Sequence, residues 1–328
     1  MNPKTSTPEP DMERVKELLQ RSFEEVSKRI VGQRDMLEGM MTGLLTEGHV
    51  LLEGVPGLAK TLAVKSLAEV VDAGFKRIQF TPDLLPADLI GTMIYRQQTG
   101  DFVPRKGPIF ANIILADEIN RSPAKVQSAL LEAMEERQVT LGTETYPLEE
   151  PFLVLATQNP IEHEGTYPLP EAQLDRFILK LYVPYPTFTE EKDILKRVGV
   201  KNAIPVRKVL DKEGIETLKS VVREIHVDPR IEEYIVSLVR ASRERNREKA
   251  DFVRFIEYGG SPRASIYLLR CAKVKALLDG RAFVIPEDVK ALAPAVLRHR
   301  IILTYEAEAE DLSTDQIISE ILKTVDVP

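Results

Sequence analysis

Short apolar runs separated by amphipathic stretches dominate the chain between residues 49 and 183. Their nearly continuous apolar character is typical of strands that are covered on both faces, as in a parallel sheet. The stretches between them, such as residues 60–71 and 122–137, have helical periodicity, and strands that alternate with helices favour an α/β fold. The predicted strands are residues 49–53, 76–80, 112–116, 152–157 and 177–183.

The pattern changes at the Pro-rich segment 184–186. Beyond it almost every stretch has helical periodicity, interrupted only by short Pro and Gly breaks. We therefore predict an α/β domain over residues 13–185 and a smaller all-α domain over residues 186–328.

Three segments depart from the regular alternation. Residues 1–12 are rich in Pro and Thr and predict a disordered leader. Residues from about 82 to 110 carry many prolines and glycines and predict an insertion into the α/β domain, while residues 138–148 alternate around a glycine and predict a β-hairpin. Ser122 followed by Pro123 predicts the N-cap and first turn of the helix at residues 122–137.

Composition narrows the classes of protein to which the chain can belong. Its net charge of −7 argues against nucleic acid bound over a broad surface, because such binding depends on many Lys and Arg contacts to phosphates. No apolar run approaches the roughly 20 residues of a membrane-spanning helix, and the N-terminus lacks a signal pattern. The single cysteine, Cys271, cannot form an intrachain disulfide, and we expect a core residue. These features predict a cytoplasmic protein without membrane insertion.

The run GVPGLAKT at residues 54–61 lies between a predicted strand and a predicted helix. It fits the phosphate-binding pattern G-x-x-x-x-G-K-[ST], except that Ala59 replaces the second glycine. In such a loop backbone N–H groups surround a polyphosphate, Lys60 neutralises its charge and Thr61 coordinates Mg²⁺. If Ala59 has a positive φ, its methyl group costs about 1 kcal/mol or more, whereas a negative φ makes alanine tolerable.

Two carboxylates, Asp117 and Glu118, end the apolar strand predicted at residues 112–116, farther along the chain than the loop. An aspartate at this point can hold Mg²⁺ through its waters, and an adjacent glutamate can polarise the attacking water as a general base. Two acidic residues at a strand end are common by chance, but not one strand after a phosphate-binding loop. The pair therefore strengthens the prediction of a site that hydrolyses ATP.

Three more polar residues are candidates for the same chemistry. Asn159 follows a predicted strand, and ligands of parallel sheets lie beyond the carboxyl ends of the strands, although Asn before Pro160 is also a turn signal. Arg176 precedes the last predicted strand, and Arg263 begins a helix of the second domain. An arginine that reaches a γ-phosphate stabilises transition-state charge, either within one chain or from a neighbour.

Several longer runs of sequence are together similar to the MoxR family of AAA+ ATPases, over nearly the whole chain from about residue 13. The family also has alanine at the position of Ala59. The runs are IVGQ at 30–33, EGVPGLAKT at 53–61, ADEINRSPAKVQSALLEAMEERQVT at 116–140, ATQNP at 156–160, EGTYPLPEAQLDRF at 164–177 and GGSPRAS at 259–265. The resemblance implies an AAA+ P-loop core with a helix-2 insert at about 82–110 and a pre-sensor 1 hairpin at about 138–148, followed by a helical lid.

The resemblance also implies roles for individual residues. Glu118 would be the Walker B base, Asn159 the sensor 1 residue and Arg176 the arginine finger offered to a neighbouring subunit. Arg263 would be the sensor 2 arginine, serving either the nucleotide of its own subunit or that of a neighbour. The residues implied to contact ATP or ADP are Val31, Gly32, Gln33, Gly54, Val55, Pro56, Gly57, Leu58, Ala59, Lys60, Thr61, Leu62 and Asp117, with Thr61 and Asp117 holding Mg²⁺.

Members of this family are chaperone-like ATPases that form rings and often work with a protein bearing a von Willebrand factor A domain. The resemblance therefore implies a hexameric ATPase that remodels, activates or inserts a cofactor or metal into protein clients. One alternative is a nucleic-acid motor, against which the charge of −7 counts. Another is a nucleotide-gated switch, which has no need of a positioned base such as Glu118. Gln79 and Arg121 could also contact the site, without an assigned role.

Overall fold

The structure, a computed structural model, describes residues 12–161, 165–198, 204–243 and 251–328. The predicted leader lies outside these ranges apart from Met12, which begins the first helix. The α-helices are α1 Met12–Ser27, α2 Arg34–Leu45, α3 Lys60–Val70, α4 Pro86–Ile90, α5 Ala124–Glu136, α6 Glu171–Leu174, α7 Phe188–Val198, α8 Lys212–Glu224, α9 Pro229–Ala241, α10 Pro262–Leu278, α11 Pro286–Leu297, α12 Tyr305–Ala309 and α13 Thr314–Thr324. The strands are β1 His49–Glu53, β2 Phe75–Gln79, β3 Gly91–Arg96, β4 Asp101–Lys106, β5 Ile113–Asp117, β6 Gln138–Leu141, β7 Glu144–Pro147, β8 Leu153–Gln158, β9 Phe177–Tyr182, β10 Ile256–Tyr258 and β11 Ile302–Leu303.

Five strands form one parallel sheet in the order β2-β5-β8-β1-β9. Successive side chains of a strand point to opposite faces, and both faces of this sheet are covered. Val50 and Leu52 of β1 pack in the core formed with α1, α2 and α3, whereas Leu51 packs in the core on the α5 side. The near-continuous apolar strands predicted from the sequence are explained by this double burial, and the α/β fold is confirmed.

Two antiparallel hairpins extend from the α/β part of the chain. The Pro- and Gly-rich stretch predicted as an insertion contains α4 and the hairpin β3–β4, with Gly91 paired to Lys106 and Arg96 paired to Asp101. The second hairpin, β6–β7, turns through Gly142, which has a φ of 63°. The sequence pattern predicted a hairpin at the position of β6–β7, but at the position of β3–β4 it predicted only an insertion.

The part of the chain after β9 is mainly helical, as predicted, with one short antiparallel ladder between β10 and β11. Its buried residues belong to the same hydrophobic core as the α1–α3 face of the sheet. Cys271 on α10 has no exposed surface and is a core residue, and burial raises the pKa of its thiol to about 12.

One local prediction was wrong. Ser122 does not cap α5, because a 3₁₀ turn over Ile119–Arg121 precedes the helix and turns the Ser122 side chain into the core. Its hydroxyl donates a hydrogen bond to the backbone oxygen of Ile119 at 3.4 Å, and Pro123 occupies the N-cap position. The sequence signal for a cap was shifted by one residue.

Candidate active site

Residues 54–59 connect β1 to α3 and form the predicted phosphate-binding loop. A Cβ on Gly54 would lie 2.9 Å from the backbone oxygen of Val183, so the chain leaving β9 leaves no room for a side chain. Gly57 has a φ of 88°, which L side chains rarely adopt. Apart from Gly57 and its two chain neighbours, no atom of the described residues lies within 4 Å of where its Cβ would be, so the tip of the loop is open.

The sequence left open whether Ala59 has a positive or a negative φ, and the structure gives the answer. Its φ of 57° and ψ of 17° are left-handed, so alanine is strained here by about 1–2 kcal/mol. Strained backbone of this kind clusters at functional sites, where the surrounding structure holds it in place. Gln33 and Glu118 have similar φ values of 56° and 57°. Three of the predicted site residues therefore share a conformation that favours glycine.

Lys60 begins α3 at the end of the loop and is half-buried. Its ammonium donates a hydrogen bond to the backbone oxygen of Gly54. Burial lowers the pKa of Lys60, and the negative charges of Asp117, Glu118 and Glu53 oppose this shift. The lysine is therefore within electrostatic reach of both predicted Walker B carboxylates.

Asp117 ends β5 with both carboxylate oxygens engaged. Oδ1 accepts a hydrogen bond of 2.6 Å from Thr157 Oγ1, and Oδ2 accepts bonds of 2.9 and 2.5 Å from Nε and Nη2 of Arg77. Thr157 lies on β8 and Arg77 on β2, the two strands next to β5. Sequence reasoning missed both partners, because only the strand order brings them to Asp117.

Glu118 is held by its neighbours on three sides. Its Oε2 accepts hydrogen bonds from Gln79 Nε2 at 2.8 Å and from Arg121 Nη1 at 2.9 Å. Its backbone N–H donates to Thr157 Oγ1 at 2.8 Å. Gln79 and Arg121, which had no assigned role, thus contact the predicted base directly, and Gln79 is aligned with Asp117 in the register of β2 and β5.

Asn159 and the segment before α2 lie around the same end of the sheet. Asn159 follows β8, is buried, and its Oδ1 accepts a hydrogen bond of 3.2 Å from the N–H of Ile161, as a turn residue does. Gln33 donates from Nε2 to the backbone oxygen of Pro184 at 2.9 Å, which links the residues before α2 to the chain that leaves β9.

The strand order explains which predicted residues meet. β5, β8 and β1 are adjacent and parallel, so their carboxyl ends bring Asp117, Asn159 and the phosphate-binding loop to one edge of the sheet. Backbone N–H groups and an ammonium suit phosphates, while the hydroxyl of Thr61 and the carboxylate of Asp117 are oxygen ligands of the kind that Mg²⁺ prefers. The donor set at this edge fits a nucleotide with Mg²⁺. We call it the phosphate end.

Arg176 and Arg263 lie at the other edge. Phe177, next to Arg176, is paired with His49 at the start of β1, whereas the loop follows the last residue of β1. A five-residue strand separates its two ends by about 16 Å at 3.3 Å per residue. The amino-terminal edge, which we call the arginine end, is thus apart from the phosphate end of the same chain.

Both arginines bind the same side chain at the arginine end. Arg176 Nη2 lies 2.8 Å from Oε2 of Glu135, and Arg263 Nη2 lies 3.3 Å from its Oε1. Arg263 Nη1 also lies 3.6 Å from Oδ2 of Asp175. A cleft of about 230 Å³ is lined by Glu135 and the two arginines together with others that include Arg270. The sequence predicted the two arginines but not that they meet.

Comparisons with known proteins agree with this geometry. Residues 49–179 match the model of the ATPase family associated with various cellular activities (AAA), and residues 253–321 match that of the AAA lid domain. The chaperone MoxR1 of Mycobacterium tuberculosis is 50% identical over 94% of this chain and 82% of its own length. Protein MoxR of Methylorubrum extorquens is 31% identical over 93% of each chain. The chain belongs to the MoxR family of AAA ATPases.

A solved structure supports the fold of this MoxR family member over almost its full length. The crystal structure of a protein from Cytophaga hutchinsonii, assigned as an ATPase, is 50% identical, covers 97% of each chain and superposes with a TM-score of 0.89. The uncharacterized protein YeaC of Bacillus subtilis is 47% identical over 95% of each chain.

The two family models divide the predicted MoxR site between them. Lys60, Asp117, Glu118 and Asn159 fall in the ATPase model together with Arg176, and Arg263 falls in the lid model. Among the described helices, none combines the length and apolar character that crossing a bilayer requires.

Proposed function

We propose that this chain hydrolyses ATP to ADP and phosphate. The observation that carries the proposal is the convergence of Lys60, Asp117 and Glu118 at the phosphate end, with the strained loop beside them. Lys60 and the backbone N–H groups of residues 54–61 would bind the phosphates. Thr61 and Asp117 would hold Mg²⁺, which when bound neutralises phosphate charge.

Within this proposal Glu118 takes the proton of the attacking water, because its carboxylate stands next to the phosphate loop. The hydrogen bonds from Gln79 and Arg121 hold that carboxylate in one orientation. Asn159 orients the water or contacts the γ-phosphate. Residues 31–33 lie beside the base of the nucleotide, near the chain that leaves β9.

We further propose that Arg176 and Arg263 both act on the nucleotide of a neighbouring subunit. Their position at the arginine end, joined by Glu135, supports this assignment over one in which Arg263 serves its own subunit. A head-to-tail contact brings the arginine end of one subunit to the phosphate end of the next, and such contacts close into rings. We propose a hexamer, as the family resemblance implies.

We also propose, from the family, what ATP hydrolysis is used for. One relative is named a chaperone, and we propose chaperone-like remodelling, activation or cofactor insertion of protein clients in the cytoplasm. A protein with a von Willebrand factor A domain is the proposed partner. The net charge of −7 favours a protein client over nucleic acid.

Two variants test the hydrolysis proposal. Glu118→Gln should lower kcat by about 10²–10⁴-fold, the usual contribution of a general base, while ATP still binds. Lys60→Ala should weaken the binding of ATP itself, since it removes the charge that faces the phosphates. Phosphate release measures the first effect, and titration with a fluorescent ATP analogue measures the second.

Glu136→Gln is the matched control, because Glu136 is exposed on α5 and carries the same charge outside the phosphate end. Its activity should equal that of the parent. Turnover by Glu118→Gln at the parental rate would reject Glu118 as the base and favour the nucleotide-gated switch.

A further inference from the structure

We infer that Glu135 is a positioning residue for ATP hydrolysis, which holds Arg176 and Arg263 as one unit that faces the neighbouring subunit's nucleotide. This inference rests on the proposed function, in which the two arginines act on a neighbour. It adds a residue that touches neither the nucleotide nor the attacking water and acts only through the two guanidinium groups.

Both oxygens of the Glu135 carboxylate are used, one for each arginine. Oε2 lies 2.8 Å from Arg176 Nη2, and Oε1 lies 3.3 Å from Arg263 Nη2. A planar carboxylate that bridges two guanidinium groups sets their separation as well as their direction. Each arginine gives one terminal nitrogen to Glu135, and each side chain keeps about a third of its surface exposed, at 32% and 38%. Arg176 can therefore bind Glu135 and an incoming phosphate together, and an incoming phosphate would compete only with the 3.6 Å contact between Arg263 Nη1 and Asp175.

The backbone on either side of Arg176 is fixed independently by Arg300. This side chain is buried, at 1% exposure, and its Nη2 donates to the backbone oxygens of Asp175 at 3.0 Å and Phe177 at 2.5 Å. Its Nε also binds Oδ1 of Asp175 at 2.7 Å. Because these bonds hold the main chain, the direction of the Arg176 side chain is what remains for Glu135 to set.

The negative charge of Glu135 also reduces the repulsion between the neighbouring arginines. Arg137 and Arg270 line the same cleft as Arg176 and Arg263, so four arginines share the cleft with two glutamates. Like charges at short distance repel and spread apart unless an anion lies between them. Glu135 lies between the two arginines that we propose to be functional, which keeps them together before the phosphate of a neighbour arrives.

Helix α5 connects this residue to the phosphate end. The 3₁₀ turn that carries Arg121, the partner of Glu118, leads into α5, and Glu135 lies in its last turn. Thirteen helical residues span about 20 Å. A structural role for Glu135 within its own subunit is therefore the competing explanation, and the experiment must separate the two.

The primary variant is Glu135→Gln, with Glu136→Gln as its control, since both remove one exposed carboxylate from adjacent positions of α5. We expect Glu135→Gln to lower kcat about 10–100-fold, as for the loss of other supporting residues around a site. The affinity for a fluorescent ATP analogue and the urea unfolding midpoint should stay at parental values. An unchanged kcat would reject the inference. An increased kcat would reject it too, because it would mean that Glu135 withholds the arginines.

Mixed assemblies identify the subunit on which Glu135 acts. Glu118→Gln subunits cannot turn over ATP but have an intact arginine end, so they can complete the site of a Glu135→Gln neighbour. In an equimolar mixture about one site in four has both halves intact, and the mixture should recover about a quarter of the parental rate. A mixture no more active than its two components would place the effect of Glu135 inside its own subunit and overturn the inference.

A second mixture makes failure of the proposed function recognisable. Arg176→Ala mixed with Glu118→Gln should recover the same fraction of activity, whatever Glu135 does. If this mixture stays inactive, the shared site itself is rejected, and the positioning role of Glu135 with it. If it recovers while the Glu135→Gln mixture does not, the shared site stands and only the role of Glu135 is wrong.

Discussion

The phosphate end and the arginine end are the two edges of one parallel sheet, and they are built in different ways. At the phosphate end a contiguous loop, residues 54–61, is completed by the residues that end β5 and β8. At the arginine end the side chains come from positions as distant as Glu135, Arg176 and Arg263. The first edge has backbone N–H groups, an ammonium and oxygen ligands, whereas arginines and carboxylates dominate the charged groups at the second. One chain therefore presents unlike sets of side chains at its two edges, which is what our proposal of a site shared between subunits requires.

Both edges contain residues with a left-handed backbone conformation. Ala59 and Glu118 at the phosphate end have left-handed φ values, which are strained for residues other than glycine. At the arginine end Glu47 and Arg137 are left-handed too, with φ values of 56° and 55°. Buried side chains also bind main-chain oxygens there. His49 Nε2 lies 3.2 Å from the oxygen of Met134, and His299 Nε2 lies 2.9 Å from that of Phe177.

The largest expected effect comes from removing the arginine finger. Arg176→Ala should lower kcat by about 10³-fold, at the lower end of what such arginines contribute, with nucleotide affinity unchanged. Lys60→Ala should instead weaken nucleotide affinity. Phosphate release and titration with a fluorescent ATP analogue, made on both variants, would compare the two ends directly. An equal loss of nucleotide affinity in the two variants would mean that both edges serve the nucleotide of one subunit, which would contradict the proposed division between the two ends.

The next largest expected effect is a pH dependence of stability that comes from His49 at the arginine end. Burial lowers the pKa of His49 to about 3, and Val154 donates its N–H to Nδ1, which the neutral ring accepts. In the unfolded chain the pKa is about 6.5, so between these values the unfolded state binds a proton that the folded state does not. Stability from this residue is therefore present above pH 6.5 and is lost as pH falls, by about 2 kcal/mol at pH 5.

Urea unfolding at pH 7 and pH 5 measures that loss. His49→Gln keeps a donor and an acceptor but does not titrate, so its stability should change less between the two pH values than that of the parent. An identical change in both proteins would show that His49 is not the group that titrates.

The smallest expected effect concerns the phosphate end. Arg77, which is 49% exposed, binds Oδ2 of Asp117 and competes with a cation for that carboxylate. Exposed pairs contribute about 0–1 kcal/mol, so Arg77→Ala should lower the Mg²⁺ concentration for half-maximal activity by up to about 5-fold. A Mg²⁺ titration of phosphate release measures it, with Lys76→Ala as the control on the same strand. A higher Mg²⁺ requirement in Arg77→Ala would mean that Arg77 supports Asp117 rather than competing for it.

The two ends also differ in how far the sequence predicted them. Residues 54–61 and the Asp117-Glu118 pair identified the phosphate end, because its chemistry is written in short runs flanked by a strand and a helix. Arg176 and Arg263 were candidates from the sequence, but their individual roles came only from the family resemblance. Glu135, Arg77 and Thr157 were missed, since an acidic, a basic and a hydroxyl residue on a helix or a strand carry no local signal of their partners.

By itself the sequence predicted the fold class, the family, the five strands of the parallel sheet and a candidate phosphate-binding loop. It did so because apolar periodicity and turn residues act over a few positions, and the order of motifs is preserved along the chain. Tertiary structure alone decided that Ala59 is left-handed, that Gln79 and Arg121 hold Glu118, and that Arg176 and Arg263 share Glu135. Those facts depend on strand order and on contacts between residues up to 128 positions apart, as for Glu135 and Arg263. No local pattern records such contacts, because side chains meet there only after the sheet and the helices have packed.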